Sequence, residues 1–230
     1  MTSQPPQAHK EHPFLIDYPL NRVIHCYPPG IIRWYCILRS QILRGQILAE
    51  IGQYIPNAGS VAELGCGFGL FSNTFALTHP HTHFYCVDLS KRRIARARSA
   101  AKRCGNRNVE FLCVDACEAA DTLPPQRCIF MFDLLHHLPP ENVMPLLDNC
   151  WQALEPGGVM VVKDVSDRPL PKMAFTWILD VLMTRGEIPH YLSPRHFLGL
   201  AQGLGAHVVA HRINDYLPYP HILYICTKQP

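Results

Sequence analysis

Residues Val61-Ala62-Glu63-Leu64-Gly65-Cys66-Gly67-Phe68-Gly69-Leu70 run from a short apolar strand pattern, through an acid and three alternating glycines, into a helical pattern. A turn of this kind lets backbone N–H groups approach a ligand with no Cβ in the way, as in loops that cradle nucleotides. The glycine register narrows the ligand. A dinucleotide fingerprint needs Gly-x-Gly-x-x-Gly, and Leu70 stands where its third glycine would be. Further acids close later apolar runs: Asp88 in Tyr-Cys-Val-Asp-Leu-Ser, Asp115 in Leu-Cys-Val-Asp-Ala and Asp133 in Phe-Met-Phe-Asp-Leu-Leu-His-His-Leu-Pro. A carboxylate at a strand end can accept from both hydroxyls of a ribose. Asp88 can equally serve as an acid at the start of the following helix. His136, His137 and Asp164 bring proton acceptors to the ends of the fourth and fifth strand patterns. His136 and Asp164 are candidate bases, against helix-entry packing for the histidines and a structural loop role for Asp164.

The elements that position these residues alternate. Strand patterns cover 61–64, 83–87, 109–114, 128–132 and 159–162. Helical patterns cover 70–77, the stretch after Ser90 that ends at Gly105, and 141–154 before Pro156-Gly157-Gly158. Short apolar strands separated by helices imply a parallel sheet covered on both faces. The strands at 206–212 and 221–227 have only a short link between them, which predicts an antiparallel hairpin. Two appendages flank this core. Residues 14–30 read as irregular and 31–55 as one long helix, with Arg33, Arg39 and Arg44 on a solvated face or against an anionic surface. Residues 171–184 form a strongly apolar helix, followed by a helix at 194–203.

The loop, Asp88, Asp115, Asp133 and Leu154-Glu155-Pro156-Gly157-Gly158 arrive in order. Together they resemble the class I S-adenosylmethionine (SAM) methyltransferases, whose first motif is Glu/Asp-x-Gly-x-Gly-x-Gly. The resemblance covers roughly residues 58–165. It implies an α/β fold: a Rossmann-like three-layer sandwich with a mostly parallel seven-stranded sheet that ends in the antiparallel hairpin. Residues 1–57 would be an N-terminal tail and helical cap, 58–230 the methyltransferase domain, and 169–204 a helical lid, within a single structural domain. The implied cofactor is SAM, with S-adenosylhomocysteine as product. It would be held by Glu63, Gly65, Cys66, Gly67, Gly69, Asp88, Leu89, Asp115, Ala116, Asp133 and His137. In the family the first acid would meet the methionine amino group, Asp88 the ribose, and Asp115 with the Ala116 N–H the adenine. The family also often carries Leu-His-His-Leu, whose second histidine recurs across different substrates. This assigns His137 to the cofactor pocket and turns His136 toward the acceptor.

Composition bounds the partners. The chain has 230 residues, is 48% hydrophobic and carries a net charge of +3, too weak to imply nucleic acid. No run reaches the roughly 20 apolar residues of a membrane span. The polar, proline-rich start is not a signal peptide. Ten cysteines without a Cys-x-x-Cys pair predict buried thiols in a cytoplasmic protein. His79, His81 and His83 read as a loop, so no metal site is expected. The apolar appendages suggest an aromatic, polyketide-like or lipid-like acceptor, free or carrier-bound; plain packing on the sheet is the alternative. Peripheral membrane contact is a secondary expectation, and oligomeric state is not indicated. Protein or nucleic-acid methylation, and SAM binding without turnover, are the competing functions. Against amino-group methylation of nucleic acid stands Asp133-Leu134-Leu135-His136, where an Asn/Asp-Pro-Pro-Tyr-type motif would sit.

Overall fold

The computed structural model describes residues 18–43, 45–165, 189–212 and 221–230. Residues 1–17 of the expected tail and cap (1–57), and residues 169–188 of the expected lid (169–204) with its apolar helix at 171–184, lie outside them. The seven strands are β1 (Gly59–Leu64), β2 (Thr82–Val87), β3 (Val109–Leu112), β4 (Gln126–Phe132), β5 (Leu154–Val165), β6 (His207–Arg212) and β7 (His221–Thr227). They form one sheet in the order β3-β2-β1-β4-β5-β7-β6. The first five are parallel, whereas β7 runs antiparallel to both β5 and β6. The seven-stranded, mostly parallel architecture with a closing hairpin therefore stands.

Alternation along each strand divides the core. Helices α1 (Tyr18–His25), α2 (Ile31–Ile42), α3 (Gly45–Gly52), α4 (Leu70–Thr78) and α5 (Lys91–Cys104) pack on one face with Val61, Phe84, Phe130 and Val161. Helices α6 (Ala116–Thr122), α7 (Pro140–Ala153) and α8 (Pro194–Gly203) cover the other, against Ala62, Val87, Ile129 and Met160. Successive strand residues point to opposite faces, so neighbouring positions feed different cores. No helix among the described residues is long and apolar enough to cross a membrane.

Three expectations need correction. Residues 18–25 are helical rather than irregular. Leu20, Val23, Ile24 and Tyr27 are buried at helical spacing, and Pro19 sits in the first turn, where a proline is tolerated. The expected helix over 31–55 is two helices, because Leu43 leaves helical dihedrals and a glycine opens α3. Strand β5 extends back through the Pro-Gly-Gly segment instead of beginning after it.

Since β1 has β2 on one side and β4 on the other, the strand order reverses at β1. The crevice at the carboxyl ends of β1 and β4 is where ligands bind in such sheets. Two glycines there do different jobs. A Cβ on Gly69 would lie 2.6 Å from a ring carbon of Phe111 and 2.9 Å from the Ala97 methyl, so this glycine lets the loop seat on α5 and β3. A Cβ on Gly67 would meet nothing within 4 Å. Both have positive φ, 71° and 56°. Gly69→Ala should therefore cost about 2 kcal/mol or more in urea denaturation, from overpacking plus backbone strain. Gly67→Ala should cost only the strain, about 1 kcal/mol. Equal costs would show that Gly69 is not a packing glycine.

Candidate functional site

The loop after β1 is held open by its neighbours. The Cys66 N–H donates to the Val87 carbonyl at 2.8 Å, and the Gly69 N–H donates back to Cys66 at 2.8 Å. The Gly67 N–H donates to Asp88 Oδ2 at 2.9 Å, while Asp88 Oδ1 accepts from the Ser90 N–H at 2.8 Å. Asp88 thus both shapes the glycine loop and starts α5. Each carboxylate oxygen has a second lone pair, so capacity for further donors remains. Leu89 beside it is 69% exposed. Cys113 bridges to this loop, donating to the Leu89 carbonyl. Asp115 caps α6 by accepting from the Cys117 N–H at 2.7 Å, and Ala116 is buried behind it.

Glu63 is buried at the end of β1, and its Oε2 has no hydrogen-bond partner. Burial pushes its carboxyl up to about 8, against a smaller lowering by the nearby Ser72 and Arg39. Such a group is held neutral near pH 7 until a cation arrives.

On the β4 side, Asp133 has left-handed backbone at φ 54°. Its N–H donates to the Lys163 carbonyl at 2.8 Å. Lys163 Nζ donates to Oδ1 at 2.5 Å, and Arg39 from α2 pairs with Oδ2 at 2.5 Å. Burial alone would raise this carboxyl, but the Lys163 and Arg39 charges outweigh it and hold it well below the usual range. Lys163 is fully buried, which brings its ammonium down to about 8. Its Nζ also lies 3.4 Å from His221 Nε2. Burial and the Lys163 charge keep His221 well below its ordinary value.

His136 and Asp164, separate candidates in the sequence, form one pair: His136 Nδ1 is hydrogen-bonded to Asp164 Oδ1. Asp164 also accepts from the Val165 N–H at 2.7 Å. His136 is buried, and its carbonyl accepts from the His190 N–H at 2.7 Å. The Tyr191 ring lies 5.5 Å from the His136 ring, centre to centre. His137 is exposed, with its ring centre 4.1 Å from that of His136. Tyr224 stacks on Phe197 and belongs to the core.

The structure therefore assembles Glu63, the glycines and Asp88 at one side of the crevice, and Asp133, His136 and Asp164 at the other. Gly65 joins the two sides, since a Cβ there would lie 3.0 Å from the Leu134 side chain. Arg39 is the residue that the sequence hid. The polar positions of α2 read as a solvated face, yet Arg33 donates to the Tyr27 carbonyl and Arg39 turns inward.

Residues 61–158 match the family described as a methyltransferase domain. The chain is 30% identical over 150 residues to a carboxy-S-adenosyl-L-methionine synthase of Chromohalobacter salexigens, covering 62% of this chain and 53% of the relative. It is 29% identical over 125 residues to the tRNA N(3)-methylcytidine methyltransferase Mettl2 of Drosophila melanogaster, covering 50% of this chain and 37% of the relative. The chain thus spans about half or less of the length of these curated relatives. In fold it is similar to magnesium protoporphyrin IX methyltransferase from Synechocystis, solved with bound S-adenosylhomocysteine. The TM-score is 0.66 at 14% identity, over 93% of this chain and 95% of that one.

Glu63 makes stability depend on pH. Its folded value, about 8, lies above the ordinary value of 4.5, so between these limits the unfolded chain loses a proton that the folded chain keeps. This contribution is complete below about pH 4.5 and is lost as pH rises toward 8. Glu63→Gln should flatten that fall, measured as Tm from pH 5 to pH 8 without ligand. An identical pH slope in the variant would place the titration elsewhere.

Proposed function

We propose that the chain is a class I SAM-dependent methyltransferase that transfers the methyl group of SAM to a small-molecule acceptor, a reading supported by the match of residues 61–158 to the methyltransferase-domain family. The observation that carries this is the pairing of an open glycine cradle with a buried acid, one of whose oxygens has no partner. Gly67 faces free space where a side chain would project, and Glu63 Oε2 lacks a hydrogen-bond partner. The residues fit a ligand with a nucleoside part and a cationic amino acid part. Glu63 would receive the amino group, with Gly65, Cys66, Gly67 and Gly69 along the backbone cradle. Asp88 would take the ribose hydroxyls, Leu89 would cover the base, and Asp115 with the Ala116 N–H would meet its edge. Asp133 and His137 would border the methionine end.

SAM supplies a methyl group already activated on a sulfonium, so the protein must exclude water, align the acceptor and remove a proton where one must leave. His136 and Asp164 are suited to the last task. An Nδ1–H donated to Asp164 would fix the tautomer and make Nε2 the basic nitrogen. Asp164 would also stabilise the imidazolium that forms when Nε2 takes a proton. A base next to the acceptor suits an ionisable hydroxyl, and the family name does not fix the acceptor. A tRNA methyltransferase among the relatives keeps nucleic acid as the competing substrate. All ten cysteines are unbridged, which supports a reducing compartment such as the cytoplasm.

Two measurements test the cofactor half. Gly67→Arg and Asp88→Ala should each weaken SAM binding at least about tenfold in calorimetry while a cooperative melt is kept. Normal binding by both folded variants would refute the cofactor assignment. Binding at pH 7 should also release protons, because a cation beside Glu63 lowers a carboxyl held near 8. The heat should then vary with the ionisation enthalpy of the buffer, and Glu63→Gln should abolish that dependence.

The acceptor half is read by incubating the protein with methyl-labelled SAM and fractionated lysate. Label should enter the small-molecule or lipid fraction, and label in nucleic acid or protein would replace this acceptor class. With the acceptor in hand, His136→Ala should lower turnover about a hundredfold and leave SAM affinity unchanged. Unchanged turnover would remove His136 as the base.

A further inference from the structure

Charge is divided unequally between the two faces of the sheet. Helices α1 to α5 hold ten Lys and Arg residues and a single acid, Glu50. On the opposite face, α6 to α8 hold four acids, Glu118, Asp121, Glu141 and Asp148, and one base, Arg195. Among the described helices, charge is thus segregated between the two faces in a way that a net charge of +3 conceals.

Most of the positive charge is on α5, KRRIARARSAAKRC, which has no acid. Its buried face is Ile94, Ala97, Ala100, Ala101 and Cys104. Its outer face is basic from end to end. Arg98 and Arg103 donate to the carbonyls of Phe111 and Cys26, and Arg93 lies 3.7 Å from Asp88. Lys91, Arg92, Arg96 and Lys102 have no side-chain partner among the described residues.

The same layer carries an apolar surface. Helix α2 buries Ile32, Cys36 and Ser40 toward the core. On its opposite side Ile31, Trp34 and Leu38 are 81%, 70% and 58% exposed. Their spacing puts all three on one stripe of the helix. An amphipathic helix on a protein surface ordinarily turns polar groups outward, and this one is apolar on both sides. Helix α1 links the two features: Arg22 of α1 donates to the Cys104 carbonyl at the end of α5, and α1 leads directly into α2.

We propose that the α1–α5 face docks on an anionic lipid bilayer. Lys91, Arg92, Arg96 and Lys102 would meet the headgroups, and Ile31, Trp34 and Leu38 would enter the interfacial layer. Basic residues beside an exposed Trp and two aliphatic side chains combine electrostatic attraction with shallow apolar insertion, the pairing that reversible bilayer binding requires. Nucleic acid would use the cations but would leave the Ile31, Trp34 and Leu38 stripe in water. A second copy of the chain would cover the stripe but bring α5 of the partner, with the same charge. The bilayer satisfies both. Helix α2 also carries Arg39 to Asp133, so docking would set the crevice beside the lipid surface. That consequence rests on the methyl-transfer reading above; the docking itself does not.

The full chain should co-sediment with vesicles of roughly one-third phosphatidylserine in phosphatidylcholine at least about tenfold more tightly than with phosphatidylcholine alone, and less as salt rises. The triple variant Lys91→Glu, Arg92→Glu, Arg96→Glu should lose this preference. The double variant Trp34→Ser, Leu38→Ser should weaken binding about tenfold and leave it more salt-sensitive. SAM calorimetry on the same variants reports whether they are folded and is independent of vesicle binding. Equal binding to both vesicle types, or binding to neither, overturns the proposal. So does charge reversal that abolishes binding to an RNA homopolymer while vesicles are ignored, or a dimer in light scattering that Trp34→Ser dissociates and that shows no vesicle affinity.

Discussion

A carboxylate taken out of water where the sheet reverses its strand order organises the site. Asp133 sits at the end of β4 with left-handed backbone, a conformation a non-glycine residue holds only when its surroundings dictate it. The Lys163 carbonyl and ammonium fix it from β5, and Arg39 reaches it from α2. Three segments distant in sequence must therefore be in place before this one charge is satisfied. The geometry of the next turn follows. Leu134 is pressed against Gly65 of the glycine loop, and Leu135 to His137 form a single 3₁₀ turn that brings His136 to Asp164. Asp164 is adjacent to Lys163 on β5, so strand alternation sends one side chain to Asp133 and the other to His136.

The crevice then has two differently built sides. The β1–β2 side is made of backbone and carboxylates: glycines at positive φ, the Asp88 bridge to the Gly67 N–H, and Glu63 kept neutral by burial. It suits a ligand that brings hydroxyls and a cation. The β4–β5 side is made of paired charges and an imidazole hydrogen-bonded to a carboxylate. Glu63 and His136, both buried, thus stand in different surroundings, one without a partner at Oε2 and the other paired with Asp164. Separation of this kind is how one pocket holds an acid and a base in different states.

What the sequence made legible follows the reach of each interaction. The glycine loop, Asp88 and the Ser90 cap depend on neighbours a few residues away or on strand ends, and their spacing announced them. The parallel sheet and closing hairpin came from run lengths and linker lengths, which are also local. Helix α1 escaped because Pro19 and the aromatic residues mask a short buried stripe whose partners are α4 and α5. The break between α2 and α3 escaped because the apolar periodicity of 31–55 continues across it, while one residue at Leu43 leaves helical geometry. Arg39 escaped for a stronger reason. Nothing in its own helix separates an arginine facing water from one facing Asp133, 94 positions further along the chain. Long-range charge pairing has no periodicity to read.

Burying Arg39, Asp133 and Lys163 together is a poor way to gain stability. Desolvating these charges offsets much of their attraction, and apolar residues of similar volume often do as well. Lys163 is nevertheless fully buried, and that burial draws its ammonium down to about 8. A network that adds little to folding but constrains Asp133, and through it the turn that holds His136, is better understood as a positioning device. It also ties α2 to the crevice by its inward face, while its outward face presents Ile31, Trp34 and Leu38 to the surroundings. One helix is thus both a wall of the site and part of the molecular surface, so whatever occupies that surface acts on the helix that holds Asp133.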